Sequence, residues 1–245
     1  MAGSQDPRVV RLLKFGKTID PEELVPTIER EASHLIRQDP FAFALAAILD
    51  RGTKAEIIWS LPYYLRKRLG KLDPHYFASA SVEEIRRILE KLPVKPRYMS
   101  DAPITIKEFS QMVVREFGGR TEGIWEGKSA AEVRSTFQRV YGVGPGISSM
   151  IVLLLEKLFG VRFSDLDRRK IDIKPDVHVM RVFYRLGLIS ERTPEAAVRA
   201  ARLLNPEFPG ALDAPAWKIG REWCTEFSPK CDSCPLKDVC PKNIK

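Results

Sequence analysis

Cysteine is scarce in this chain, and none of it lies outside the C-terminal region. Four cysteines occur in 245 residues: Cys224, Cys231, Cys234 and Cys240. The N-terminal stretch carries early charges and lacks the apolar segment of a secretory signal, so we expect a protein of the cytoplasm. In that compartment thiols act as ligands more often than they form disulfides. Two disulfides stay open as the less favoured alternative.

Long apolar runs are also missing. The run from Met150 to Leu155 has six residues and is far too short to span a bilayer, so we expect no membrane protein. Strand-type alternation is scarce, and there is no internal repeat or low-complexity segment. Hydrophobic residues make up 44% and charged residues 29%, as in ordinary globular proteins. Apolar residues recur at helical spacing, which predicts an all-α fold.

Helix boundaries can be placed from capping residues. Asp39-Pro40 predicts the start of a buried helix, and Ser81 followed by Val-Glu-Glu predicts another. A third helix should end at Gly118, because glycine favours the left-handed cap. Pro62 should kink or split the helix that begins near Thr53.

The four cysteines form a C-x6-C-x2-C-x5-C array within seventeen residues. Four thiolates in one short loop suit either a tetrahedral metal ion or a cubane cluster. Zinc usually takes paired C-x2-C hooks, and only Cys231 and Cys234 make one. The looser spacers favour a group wider than one ion, so we predict a [4Fe–4S] cluster held by all four cysteines.

A glycine-rich segment lies in the middle of the chain. A helix should end near Tyr141, glycines follow at positions 142, 144 and 146, and an apolar helix should begin near Ile147. The first amides of that helix would be free to bind a phosphate. A net charge of +8 also favours a polyanionic partner. An ordinary glycine-rich loop is an equally good explanation of this segment alone.

The order of these features resembles the endonuclease III family of helix-hairpin-helix DNA glycosylases. The family's hairpin reads L-P-G-V-G-x-x-[T/S]-A, and residues 140–148 of this chain read VYGVGPGIS. Its catalytic segment reads V-D-T-H-I-x-R-V, and residues 175–182 read PDVHVMRV. With the terminal cysteine array, the resemblance covers roughly residues 38 to 240.

The resemblance implies a two-domain architecture and a DNA substrate. A six-helix domain with the hairpin would span residues 38–160, and a discontinuous cluster domain would join residues 1–37 to 161–245. The implied activity is base excision repair: hydrolysis of the N-glycosidic bond of a damaged or mismatched base in double-stranded DNA. The expected protein is a monomer that associates with the nucleoid and not with membranes.

By the same resemblance, Asp176 is the catalytic carboxylate. Breaking an N-glycosidic bond builds positive charge on the sugar, which a carboxylate can stabilise. A helix N-cap is the simpler role for Asp176, and both roles can hold together. Asp172 is a second candidate that the alignment disfavours. The family pattern gives His178 a structural role.

The resemblance also predicts the DNA contacts. Gly142, Gly144, Gly146 and Ser148 would contact the DNA backbone through the hairpin. Arg51 follows the helix that leads to the family's lesion-probing loop. It is therefore the candidate for the wedge that fills the gap left by the flipped base. Its simpler role is a cation at the end of a helix.

One departure concerns strand cleavage. Family members with lyase activity carry a lysine two residues after G-V-G, where this chain has Gly146. We therefore predict a monofunctional glycosylase. Two alternatives stay open: a lyase that uses Lys170 or Lys174 from the insert at residues 162–175, and a non-catalytic iron–sulfur protein that binds DNA.

Overall fold

The computed structural model describes residues 6–163 and 167–244. The chain divides into two compact units. Unit 1 joins Met1–Asp20 to Asp167–Lys245, and unit 2 is Pro21–Leu166. Residues 164–166, in the insert predicted above, lie outside the described residues, as do residues 1–5 of the N-terminal stretch.

Unit 2 is built from eight α-helices in its described part. They are α2 (Arg30–Gln38), α3 (Pro40–Ile48), α4 (Ala55–Leu69), α5 (Pro74–Ser79), α6 (Val82–Glu90), α7 (Ala102–Phe117), α8 (Ala130–Gln138) and α9 (Pro145–Phe159).

Helix α3 forms the centre of unit 2, and its sequence explains why. Asp39 Oδ1 accepts from the amides of Phe41 and Ala42 at 2.9 and 3.1 Å, and Pro40 occupies the first helical position. Every residue from Phe41 to Ile48 is buried. Phe41 stacks on Phe109 of α7 with ring centroids 5.9 Å apart, so the apolar surface of α3 packs against neighbouring helices.

The predicted helix ends are confirmed at Ser81 and Gly118. Ser81 Oγ accepts from the amide of Glu84 at 3.1 Å, and Gly118 ends α7 with φ +61°. The predicted split at Pro62 is wrong, because α4 runs through this proline from Ala55 to Leu69. Pro62 is buried with its neighbour Leu61 and with Trp59, and this packing offsets the lost main-chain hydrogen bond.

Unit 1 contains four α-helices in its described part: α1 (Pro7–Gly16), α10 (Val177–Arg185), α11 (Pro194–Leu204) and α12 (Asp213–Glu222). Their shared core includes Leu12 of α1, Phe183 of α10, Ala201 of α11 and Ile219 of α12. Three of the four cysteines pack on the edge of this core: Cys224, Cys234 and Cys240.

The all-α prediction is confirmed for the described residues, which contain no β-strand. Within the same residues, no helix combines the length and apolar character needed to cross a membrane.

The division into units differs from the predicted domain boundary at residue 37. Residues 21–37 belong to unit 2, because α2 packs on α3 and α4 and buries Ala32, Leu35 and Ile36. Residues 38–160, for which a six-helix domain is predicted, contain the seven helices α3 to α9. The short helix α5 was not predicted, although Asp73-Pro74 carries the same cap and first-position proline as Asp39-Pro40.

Candidate functional site

Asp176 caps the N-terminus of α10. Its backbone is extended, with φ −81° and ψ 177°, and its Oδ1 accepts from the amides of His178 and Val179, each at 2.9 Å. Two such hydrogen bonds fix the direction of the carboxylate. Because the cap uses only Oδ1, it leaves Oδ2 outside the helix terminus. The N-cap role considered from the sequence is confirmed, and it is compatible with chemistry at Oδ2.

Asp172, the alternative carboxylate, is already paired. It is buried, and its two oxygens accept from Arg202 Nε and Nη2 at 2.8 and 2.7 Å. A bidentate arginine neutralises such a carboxylate. Asp172 therefore lacks the uncompensated charge that a catalytic role requires, and this supports the preference for Asp176.

The two lysines considered for strand cleavage differ in their surroundings. Lys170 is exposed, and its Nζ lies 3.9 Å from Asp167 Oδ2. Lys174 is two residues before Asp176, and its main-chain oxygen accepts from the Asp176 amide at 2.8 Å. Lys174 is thus tied to the backbone of the candidate catalytic residue.

His178 lies in the first turn of α10 against α12. Burial is the main cause that lowers its pKa below the ordinary 6.5, and Arg181 lowers it further, whereas Asp176 acts in the opposite direction. His178 Nδ1 is 2.9 Å from Arg181 Nη2, so the arginine donates to a neutral imidazole. The main chain of Gly220 packs so closely on His178 that an added Cβ would lie 2.7 Å from the histidine Cβ. These contacts support the structural role expected for His178.

Two buried arginines of α10 hold the start of the cysteine loop, which runs from Cys224 to Cys240. Arg181 donates to Cys224 O at 2.6 Å, to Gly220 O at 2.7 Å and to Glu226 Oε2 at 3.2 Å. Arg185 donates to Thr225 O at 2.6 Å and to Glu226 O at 2.8 Å. Sequence reasoning missed both residues. The sign that could have found them is a pair of arginines four apart on the face of α10 that also carries Val182.

The four cysteines line one cavity, whose apolar wall includes Val182, Ile219 and Leu236. Three N–H groups donate to sulfur: Arg185 Nη1 to Cys224 at 3.5 Å, the Leu236 amide to Cys234 at 3.5 Å and the Lys242 amide to Cys240 at 3.4 Å. Burial raises the pKa of the Cys234 and Cys240 thiols, and the neighbouring cysteines raise it further.

The sulfur positions also bear on which group the cysteines could hold. In the described part of the chain, no three Cys, His, Asp or Glu side chains lie closely enough to hold one metal ion. All four cysteines nevertheless line the one cavity described above.

The glycine-rich segment is a hairpin between α8 and α9. Gly142 has φ +81°, a conformation that favours glycine. Gly144 is the N-cap of α9, and a Cβ there would meet nothing within 4 Å. Pro145 has no N–H, and Ser148 closes the first intrahelical bond to Gly144 O at 3.1 Å. The amides of Gly146 and Ile147 precede that bond, so they have no acceptor within the helix.

The comparisons with known proteins agree with this geometry. Endonuclease III of Thermotoga maritima is 25% identical over 205 residues, which cover 82% of this chain and 83% of the relative. The thymine/uracil-DNA glycosylase of Pyrobaculum aerophilum is 30% identical over 216 residues, covering 82% of this chain and 80% of the relative. The chain belongs to the endonuclease III-like family of helix-hairpin-helix DNA glycosylases. It is accordingly a DNA N-glycosylase.

The fold of this glycosylase also occurs in a solved structure. A trapped covalent intermediate of endonuclease III with DNA matches it with a TM-score of 0.66 and 18% identity, covering 97% of this chain and 96% of that one. No protein-family model matches the chain.

The predicted DNA contacts of the glycosylase need two corrections within the hairpin. Helix α9 begins at Pro145 rather than near Ile147, so Gly146 lies inside its first turn. Ser148 is fully buried, its Oγ accepts from Gln138 Nε2 at 2.7 Å and donates to Pro145 O at 3.1 Å, and its amide is used within the helix. Ser148 therefore joins α8 to α9 and does not face DNA. Gly142 and Gly144 keep the positions predicted for them.

Arg51 does not extend into solvent as a wedge would. Its Nη1 donates to Gly142 O at 2.9 Å, so the side chain lies on the hairpin of the glycosylase. Arg51 and the hairpin belong to unit 2, whereas Asp176 and the four cysteines belong to unit 1.

Proposed function

We propose that this DNA glycosylase hydrolyses the N-glycosidic bond of a damaged or mismatched base in double-stranded DNA, with Asp176 as the catalytic carboxylate. The observation that carries the proposal is the cap of α10, which fixes Oδ1 between two amides and leaves Oδ2 outside. A carboxylate held in this way is oriented before the substrate arrives. The neighbouring Asp172 is neutralised by Arg202 and does not compete for the role.

The chemistry follows from what the bond requires. As the base leaves, the sugar takes on the character of an oxocarbenium ion, and a fixed negative charge lowers the energy of that state. Oδ2 of Asp176 can also accept a proton from the water that attacks the sugar carbon. Asp176 can perform either task, because the cap of α10 occupies only its Oδ1.

We further propose that the enzyme is monofunctional. A lyase reaction needs an amine that forms a Schiff base with the sugar. The hairpin offers none, because Gly146 stands where lyases of the family have lysine. Lys174 is the alternative amine, because it stands two residues before Asp176 in the chain.

A [4Fe–4S] cluster fits the four cysteines better than a single zinc ion. The cysteines line one cavity, their six- and five-residue spacers suit a group wider than one ion, and three N–H groups point at sulfur atoms as they would at thiolates. Bound there, the cluster would cross-link the cysteine loop through its four thiolates. Iron and sulfide analysis with visible absorbance would test this, and one zinc per chain would contradict it.

DNA would be held by the amides that open α9 and by the overall charge of +8. These contacts address phosphates and not bases, so they suit any sequence. The proposed enzyme acts as a monomer inside the cell, where the nucleoid supplies its substrate.

The deciding experiment measures release of free base from duplexes that each carry one lesion or mismatch. Uracil and thymine opposite guanine head the panel, because the relative from Pyrobaculum is named for those bases. We expect release by the native protein and a loss of at least about a thousandfold in Asp176→Asn, as for removal of a group central to the transition state. Asp172→Asn is the matched control, and it should retain base release if it folds.

Strand breaks separate the remaining alternatives. A monofunctional enzyme gives breaks only after alkali, whereas borohydride trapping of a protein–DNA adduct that Lys174→Ala abolishes would establish a lyase. Tight binding without release of any base would favour the non-catalytic protein.

A further inference from the structure

Three main-chain groups of the hairpin are held by side chains from elsewhere in unit 2. Arg51 Nη1 donates to Gly142 O at 2.9 Å, and Thr105 Oγ1 donates to Tyr141 O at 3.0 Å. The amide of Tyr141 donates to Glu108 Oε2 at 3.1 Å. Main-chain N–H and C=O groups in loops of this kind usually form hydrogen bonds with water or within their own turns. Here α7 and the loop after α3 supply the partners instead.

Arg51 is itself fixed in place by four contacts. Besides Gly142 O, its guanidinium reaches Thr105 Oγ1 at 3.3 Å and Asp101 Oδ2 at 4.0 Å, and it lies over the Tyr98 ring at 5.8 Å from the centroid. Only 22% of its side chain is exposed. An arginine with its fork engaged and one face stacked is pre-organised. A wedge has to be free to enter the base stack, and this side chain is not.

The Arg51 guanidinium fills the space that a side chain at position 142 would need. A Cβ on Gly142 would lie 1.7 Å from Arg51 Nη1, and the glycine also has φ +81°. Glycine is therefore required at position 142 for two independent reasons: the turn needs a positive φ, and the guanidinium needs the room of a side chain. The hairpin and Arg51 fit each other as a pair.

We propose that Arg51 is a positioning residue that locks the hairpin in its phosphate-binding conformation, and that it is not the wedge. This proposal rests on the proposed DNA binding by the hairpin. Fixing Gly142 O and Tyr141 O holds the turn from which α9 starts, and so it holds the amides of Gly146 and Ile147. Without the lock, DNA binding must order the turn first, and that ordering lowers affinity.

The two roles of Arg51 predict different losses. A lock acts in every DNA complex, so Arg51→Ala should weaken binding to an undamaged duplex by about tenfold, the scale of one hydrogen bond from a charged donor. A wedge acts only once a base is flipped. Its loss would leave undamaged binding within about twofold of native and would lower base release instead.

Three further measurements would distinguish the lock from a direct contact between Arg51 and a phosphate. Arg51→Lys keeps the charge but cannot bridge Gly142 O and Thr105 Oγ1, so binding should still fall. Thr105→Val removes the hydroxyl that donates to Tyr141 O. Thr105 is fully buried, so it cannot touch DNA. Its effect on Kd should have the same direction and be non-additive with Arg51→Ala in a double-mutant cycle. Amide exchange at Gly142 and Val143 should become faster in both variants.

The control for charge is Lys91→Ala, which removes an exposed cation of unit 2 outside this network and should change Kd by less than about twofold. If Arg51→Ala binds an undamaged duplex as tightly as the native protein does, the proposal is overturned. Native-like binding by Arg51→Lys, or additivity with Thr105→Val, overturns it as well. If the native protein binds no duplex at all, the proposed function fails instead, so the two failures are distinguishable.

Discussion

Arg181 and Arg185 carry two charges into the interior of unit 1, where only 5% and 3% of each residue is exposed. A buried cation is tolerated only when its N–H groups find acceptors. Most of these acceptors are main-chain oxygens: Gly220 O near the end of α12, and the oxygens of Cys224, Thr225 and Glu226 in the stretch after α12, which has no regular structure. The arginines thus replace the hydrogen bonds that a helix would have provided. They also connect the helix that starts at Asp176 to the first cysteine.

Replacement of Arg185 by methionine should therefore destabilise the folded protein. The change keeps the apolar stem but leaves Thr225 O and Glu226 O without their donors, so we expect a loss of about 3 kcal/mol in the free energy of unfolding. Chemical denaturation measures this loss. Arg192→Met is the matched control, because Arg192 pairs with Glu226 Oε1 near the surface and should cost less than about 1 kcal/mol. Equal losses in the two variants would contradict the role given to Arg185.

His178 should make stability depend on pH in a definite direction. Its pKa is lowered in the folded protein, mainly by burial and further by Arg181 and Arg221, against the opposing charge of Asp176. Between the lowered value and 6.5 the unfolded chain binds more protons, so stability is fully present above 6.5 and is lost as pH falls below it.

The check is a thermal midpoint measured at several pH values between about 7.5 and 5.5 in the native protein and in His178→Gln. Asp176, Arg181 and Arg221 are present in both proteins, so the difference isolates the imidazole. The native midpoint should fall more steeply. Parallel curves would show that His178 does not contribute.

At the scale of the hairpin, Gly142 and Gly144 should respond differently to the same added methyl group. Gly142→Ala strains a backbone with φ +81° and collides with Arg51, so we expect lower thermal stability and weaker duplex binding. Gly144 has φ −95° and open space around it, so Gly144→Ala should fold normally. Its new Cβ would nonetheless stand before the first amides of α9 and keep a phosphate away.

Thermal melts and binding to an undamaged duplex separate these two effects. We expect Gly142→Ala to lose both stability and affinity, and Gly144→Ala to lose affinity alone. Full duplex affinity in Gly144→Ala would contradict the placement of phosphate at this helix end.

Local rules predicted several helices and some of their ends, and they gave no information where distant residues decide. Asp39, Ser81 and Gly118 act within their own turns, so their roles could be read from neighbouring residues. The start of α9 was placed too late, although Pro145 is the residue type that favours a first helical position. Ser148 looked available, but its partner Gln138 comes from the preceding helix. Nothing near Arg51 in sequence shows that its partner is Gly142, which lies 91 residues away.

On the scale of the whole chain, the candidate chemistry is divided between the units. Unit 1 carries Asp176 and the four cysteines, and unit 2 carries the hairpin with Arg51. The proposed base excision would need both, because Asp176 could act only on DNA that the hairpin holds. Each unit has a hydrophobic core of its own, built around α10 and α12 in unit 1 and around α3 and α7 in unit 2. A substitution that loosens the core of one unit should therefore leave the core of the other unit intact.

Loss of the proposed cluster should loosen unit 1 and spare unit 2. From Cys224 to Cys240 the only regular element is a short 3-10 helix, Cys231–Ser233, so ligation would be the main constraint on this stretch. Released from it, the loop would no longer cover the core on which Leu236 packs, next to Val182 and Ile219. We expect Cys231→Ser to lose iron and to lose amide protection in α10 and α12, while α3 and α7 stay protected. Ser233→Ala lies in the same 3-10 helix and should retain both iron and protection. Unchanged exchange in α10 without iron would mean that the arginines alone hold the loop, and the cluster would then serve chemistry rather than folding.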